Sequence, residues 1–208
     1  MTNTLHRQGS QESLAGDYVI FLTPAGGINR TGSGEKKQRF LRLALAEGPV
    51  NIGAGGKNLI TGGDPETMIA SVTDESSVTA TFSSLEAVRR LVGRLTEEDL
   101  GISVNISGLA DEVDGLLRSH GLVRHSIEHS LGILGRTERL PTRQVLELTT
   151  MCGHGLISHN FARKMIDMVK LGKLTPRQAA MHLARPCVCG AFNIDRAEAL
   201  LAAAVKMA

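Results

Sequence analysis

The chain has 208 residues, 42% hydrophobic and 21% charged, with a formal net charge of +2. That balance belongs to a folded globular protein rather than a mostly disordered one, and the interspersed charges leave no basic footprint for nucleic acid. Aromatic residues, only 3% of the chain, are too few to stack single-stranded bases; no apolar run reaches membrane-span length, and the start lacks the apolar core of a secretory signal. The cytoplasm is the expected location, with neither nucleic acid nor membrane as a partner.

Residues 1–15 are polar and aperiodic and read as a flexible tail. Gly16 to Thr23, G-D-Y-V-I-F-L-T, is an apolar run rich in β-formers that stops at Pro24, the pattern of a buried strand. A glycine-rich loop follows, P-A-G-G-I-N-R-T-G-S-G. It leads into a helix whose apolar face is Phe40, Leu41, Leu43, Ala44 and Leu45, closed by Gly48. Strand, glycine loop and helix occur in the order in which backbone N–H groups cradle phosphate. Neither standard phosphate-loop fingerprint is present, but Asn29, Arg30, Thr31, Ser33, Lys36 and Lys37 are candidates for holding an anion. A second glycine-rich loop, residues 50–63, could add Lys57 and Asn58 to the same pocket.

From Thr67 the texture changes. S-V-T-A-T-F alternates like a strand, and Ser84 caps an amphipathic helix. G-I-S-V-N-I-S-G is a second strand with Ile102, Val104 and Ile106 on one face, followed by a helix that Gly121 stops. V-R-H-S-I-E-H-S-L-G-I-L-G alternates as a third strand, with Ile127, His129, Leu131 and Ile133 in register. Strand–helix–strand–helix–strand over residues 67–135 gives an α+β fold, a small mixed sandwich with ferredoxin-like topology as a candidate. From Leu140 onward the chain reads as helical. Thr175 with Pro176 is a strong helix start, and Asn193 a cap for the last helix. Three regions result: a tail (1–15), an α+β domain with glycine-rich loops (16–136) and a helical metal-binding part (137–208).

All three cysteines fall in that last part, in M-C-G-H-G-L-I-S-H-N at 151–160 and R-P-C-V-C-G at 185–190. Three thiols do not make a secreted disulfide scaffold, and a reducing compartment suits them better. Thiolate is the softest side-chain ligand and imidazole the commonest neutral one. Cys152, Cys187 and Cys189 are therefore the expected metal ligands, with His154 as a candidate fourth. Glycines beside each cysteine let backbone N–H groups turn towards sulfur, as cluster sulfurs require. In general texture the two segments resemble the cysteine-rich cluster proteins of anaerobic metabolism. The resemblance covers only these short stretches and brings no activity with it.

The first expectation is an iron–sulfur protein carrying a [4Fe–4S] cluster on the three cysteines, with the fourth site open or held by histidine. It would serve small-molecule chemistry or cofactor assembly, with a small substrate or a partner redox or assembly protein; a homo-oligomer is compatible with either. As an enzyme it would be a cluster-dependent lyase, hydratase or sulfur-transfer catalyst, with His154 and His159 moving protons. The alternatives are a zinc-stapled Cys₃His module and a metal-free phosphate- or nucleotide-binding domain built on the glycine loops.

Overall fold

The fold is known from a computed structural model that describes residues 4–206. Residues 1–3, part of the expected tail, lie outside the described region. The elements in chain order are α1 (Gln11–Leu14), β1 (Tyr18–Thr23), α2 (Ser33–Ala46), β2 (Asn51–Ala54), β3 (Lys57–Asn58), α3 (Pro65–Ala70) and β4 (Val78–Phe82). They continue with α4 (Leu85–Glu98), β5 (Ser103–Ser107), α5 (Ala110–Ser119), α6 (Arg143–Thr149), α7 (His159–Lys170), α8 (Pro176–Ala184) and α9 (Ile194–Lys206). No helix among the described residues is long and apolar enough to cross a membrane.

The five strands form one antiparallel sheet in the order β3-β2-β4-β1-β5. With the two-residue β3 set aside, β1-α2-β2-β4-α4-β5 with spatial order β2-β4-β1-β5 is the split βαβ arrangement of ferredoxin-like folds. The fold is thus α+β, as expected, but the sandwich spans residues 18–107 rather than 67–135.

β1 is apolar along nearly its whole length because both faces of the sheet are covered. Alternate side chains of a strand point to opposite faces. Tyr18, Ile20 and Leu22 enter a core with α2, α3 and α4, while Val19 and Phe21 enter a second core with α6–α9. The helical C-terminal part is therefore the third layer of one structure, closing the sheet face that α2 and α4 leave open.

Two sequence expectations are corrected here. Val123–Gly135 is not a strand: it runs as an irregular segment with Val123, Leu131 and Leu134 exposed, and Gly132 and Gly135 take positive φ values that interrupt an extended ladder. The segment 50–63, read as loop, instead contributes β2, which is buried at every position, and β3. The tail also differs from expectation. Thr4–His6 is a 3-10 turn, α1 is capped by Ser10, and Arg7 is buried against Asp17.

The first glycine loop is filled from within. Asp74 accepts from the Gly32 N–H (2.9 Å) and the Gly34 N–H (2.6 Å), and its carbonyl accepts from Lys37 Nζ (2.6 Å). Gly32 sits at φ 76°, a conformation glycine adopts without strain, which helps present these donors. The N–H donors hold the Asp74 carboxyl below its ordinary value. Its contribution to stability is present above the unfolded carboxylate range and is lost as pH falls through the lowered folded value. Asp74→Ala is expected to lower the thermal midpoint at neutral pH. Orthophosphate should restore part of the loss in the variant and do nothing to the parent; a calorimetric scan with and without phosphate checks both.

Candidate metal centre

The first cysteine loop begins where α6 ends. Cys152 is 2% exposed, and its sulfur accepts from the backbone N–H groups of His154 and Leu156. Gly155, at φ 67°, lets the chain turn back so that the Leu156 N–H reaches the sulfur. The second loop leaves α8 and reverses at Gly190, at φ 70°; the Gly190 N–H donates to the Cys187 carbonyl at 3.0 Å.

This second loop is held by the sheet. Asn58 Nδ2 donates to the carbonyls of Ala184 (2.9 Å) and Cys187 (2.8 Å), Thr81 Oγ1 donates to Gly190 O (2.8 Å), and Thr79 Oγ1 donates to the Cys189 carbonyl. Asn51 Nδ2 reaches Phe192 O at 3.1 Å. Gly53 lies beneath, where a Cβ would fall 1.9 Å from Cys189 O. Buried carbonyls left without partners cost the fold about 1–3 kcal/mol each, so these side chains fix the loop as well as satisfy it.

Arg7 ties the two loops together. Its guanidinium donates to Met151 O at 3.1 Å, one residue before Cys152, and to Ala191 O, two residues after Cys189. Asp17 lies between Arg7 and Arg196, whose Nη1 is 2.7 Å from the carboxylate. Asn193 completes the cluster: its Nδ2 donates to Asp17 Oδ1 at 3.1 Å, and its Oδ1 accepts from the Arg196 N–H at 2.9 Å as the expected cap of α9.

The three sulfurs converge. Cys187 Sγ stands 3.8 Å from Cys189 Sγ, and Cys187 is also hydrogen-bonded to Cys152. The Cys187 S–H is the largest influence on Cys152, and with the Leu156 and His154 N–H groups it outweighs burial and brings the Cys152 thiol down to about 6. Cys187 is pushed up, first by its bond to Cys152, then by its bond to Cys189 and by burial. Within this pair the hydrogen bond favours the thiolate at Cys152 and the thiol at Cys187. Ultraviolet thiolate absorbance is expected to rise with a midpoint near pH 6. The step should vanish in Cys152→Ala and move to higher pH in Cys187→Ala; a pH titration of all three proteins checks it.

Among the described residues, no group of three or more His, Cys, Asp or Glu side chains is arranged to hold a metal ion as it stands, the three cysteines included. The thiols meet one another, so binding a shared ion requires the sulfurs to turn towards it. His154 and His159 are both exposed. His154 contributes its backbone N–H to the Cys152 sulfur, and His159 opens α7 behind the Ser158 cap.

Arg30, Ser33 and Lys37 of the anion candidates gather at Asp74 and Glu75, acids of the chain itself, and the others lie apart from them. Asn29 accepts from the Ala25 N–H and donates to Gly101 O, Arg30 pairs with Glu75 at 2.9 Å, and buried Ser33 lies against Asp74. Thr31 and Lys36 are exposed on the loop and helix, and Lys57 is exposed on the outer strand β3. Asn58, expected beside Lys57, is buried and bound to the cysteine loop. A cavity of about 440 Å³ at the start of α2 is lined by Glu35, Asp74 and Glu75, an acidic setting that repels phosphate.

The residues that position the cysteines, namely Arg7, Asp17, Gly53, Asn58 and Thr79, were not foreseen. Their partners lie more than a hundred residues away for Arg7, Asn58 and Thr79, and no local pattern marks them. No family model matches this chain, and no curated protein or solved structure matches it.

Proposed function

We propose that the protein is a metalloprotein whose single inorganic centre is held by Cys152, Cys187 and Cys189. The convergence of three thiols from two distant loops carries this reading, because such a cluster in one buried place is an arrangement soft metals exploit. The lowered Cys152 thiol supports it further, since only thiolate ligates. So do the two N–H donors on its sulfur, of the kind that tune metal–thiolate bonds.

A metal–sulfur bond of about 2.3 Å in a tetrahedral site sets neighbouring sulfurs about 3.8 Å apart. The Cys187–Cys189 spacing matches that edge and favours a single four-coordinate ion such as zinc, with His154 as fourth ligand. A [4Fe–4S] cluster gives each thiolate its own iron, so the loops must part to admit it, and Gly155, with open space around it, is the turn that can give. Leu156 and Val188, 47% and 43% exposed on the same loops, give the site an apolar rim suited to a partner protein. Docking to that partner fits this rim better than chemistry in a closed pocket: cofactor assembly with either centre, and electron transfer only with a cluster, because zinc has no redox chemistry.

The test is elemental. Protein purified without oxygen or chelators is analysed for zinc, iron and acid-labile sulfide, beside its Cys152→Ala and Cys189→Ala variants. One centre per chain, lost in both variants, is the expected result: zinc without sulfide identifies the single ion, iron with sulfide the cluster. Protein that holds neither, and takes up neither zinc nor iron with sulfide on reconstitution, overturns the proposal.

A further inference from the structure

The three cysteines meet one another, and one of these contacts suits a second chemistry. Cys187 Sγ and Cys189 Sγ are 3.8 Å apart. A disulfide needs them at about 2.05 Å, a gap that side-chain rotation can close. The backbone is already turned for it. The Gly190 N–H donates to the Cys187 carbonyl at 3.0 Å and closes a tight turn around Val188 and Cys189. Asn58 and Thr79 hold the carbonyls of Cys187 and Cys189, and Gly53 packs beneath, so the loop stays in place while the sulfurs move.

Exposure sorts the roles. Cys152 and Cys187 are 2% and 0% exposed, whereas Cys189 is only partly buried. Val188, 43% exposed between the two cysteines, keeps this turn at the surface. A small oxidant arriving from water therefore meets Cys189 first, with the Cys187 sulfur beside it. An accessible thiol with a resolving thiol at hand is the arrangement of redox sensors.

We infer that Cys189 and Cys187 form a reversible disulfide in response to hydroperoxides, with Cys189 as the attacking sulfur and Cys187 as the resolving one. The Cys189 thiolate attacks one peroxide oxygen. The S–O bond forms, the O–O bond breaks, and the other oxygen leaves as hydroxide or alkoxide and takes a proton from water. The Cys187 sulfur then attacks Cys189: the S–S bond forms, the S–O bond breaks, and hydroxide leaves with the Cys187 proton as water. Two electrons pass from the sulfurs to the peroxide. A disulfide in a surface turn is open to thiols, which reverse it by exchange. The disulfide does not need the metal, but its consequence rests on the centre proposed above: oxidation removes two of the three ligands and releases the metal.

The full chain, freed of metal by chelator and reduced without oxygen, is treated with hydrogen peroxide, and its mass and thiols are read. The expected result is a loss of about 2 mass units, with two thiols gone and the third alkylated at Cys152 after unfolding, all restored by dithiothreitol. Cys189→Ser, at the partly buried position, should keep both its thiols under the same treatment. An unchanged mass, oxygen added to Cys189 without a disulfide, a disulfide that includes Cys152, or thiols lost in Cys189→Ser overturns the inference. A chain that forms the disulfide yet holds no metal in the elemental test supports the inference and overturns the metal centre alone.

Discussion

Replacing Gly53 by alanine will destabilise the fold by about 2–4 kcal/mol and lift the second cysteine loop off the sheet. The added Cβ would lie 1.9 Å from the Cys189 carbonyl oxygen and 2.3 Å from its carbon, and backbone cannot yield as the tip of a side chain can. The reciprocal change strikes the same contact from the other side. A Cβ on Gly190 would meet Gly53 N at 2.3 Å, and Gly190 also holds φ 70°, which alanine tolerates poorly. Gly26→Ala is the control, because nothing lies within 4 Å of its Cβ and its φ is ordinary. Guanidinium unfolding should show the loss for Gly53→Ala and Gly190→Ala alone. A thiol reagent should reach Cys187, fully buried in the parent, in both variants. Parent-like stability with Cys187 still protected would show that the loop does not depend on this close approach.

Asp17→Ala will be as damaging, at about 3–5 kcal/mol. Asp17 is wholly buried between Arg7 and Arg196, whose side chains are 5% and 3% exposed, so removing the carboxylate strands two cations in the interior. Asp17→Asn should cost less, because an amide oxygen still accepts one hydrogen bond while the charge is lost. The damage should reach the cysteines, since Arg7 joins the carbonyls of Met151 and Ala191. Denaturant midpoints give the order parent, Asp17→Asn, Asp17→Ala. Limited proteolysis should cut near Arg7 first in the weakest variant. An unchanged midpoint in Asp17→Ala would mean that the guanidiniums are stabilised by the carbonyls alone.

What could be read in the sequence was what is local. The buried strand β1, the apolar face of α2, the Ser84 cap and the Thr175–Pro176 helix start each depend on residues within one or two turns, and each formed as expected. The grouping of the cysteines was also legible, because all three fall in two short glycine-flanked segments at the ends of one helical pair. Alternation misled at 123–135, where the pattern of a strand has no ladder to join. Glycine misled at 50–63. Gly53 marks the approach of another backbone, and only the partner loop 136 residues later tells this apart from a turn. In the phosphate-cradle pattern, the anion that accepts from the Gly32 and Gly34 N–H groups is Asp74, from the chain itself.

The two-sided burial of β1 has a consequence for how the molecule is made. Val19 and Phe21 belong to a core whose other members come almost entirely from residue 145 onward. A polypeptide emerging from the ribosome amino end first can assemble the sheet and its first helical cover, yet must carry one greasy surface until the last third arrives. Synthesis leaves roughly 5–20 seconds of exposure per hundred residues, long enough for neighbouring nascent chains to stick together. Yield in expression should therefore respond to temperature and to chaperone supply more than the stability of the finished protein would indicate.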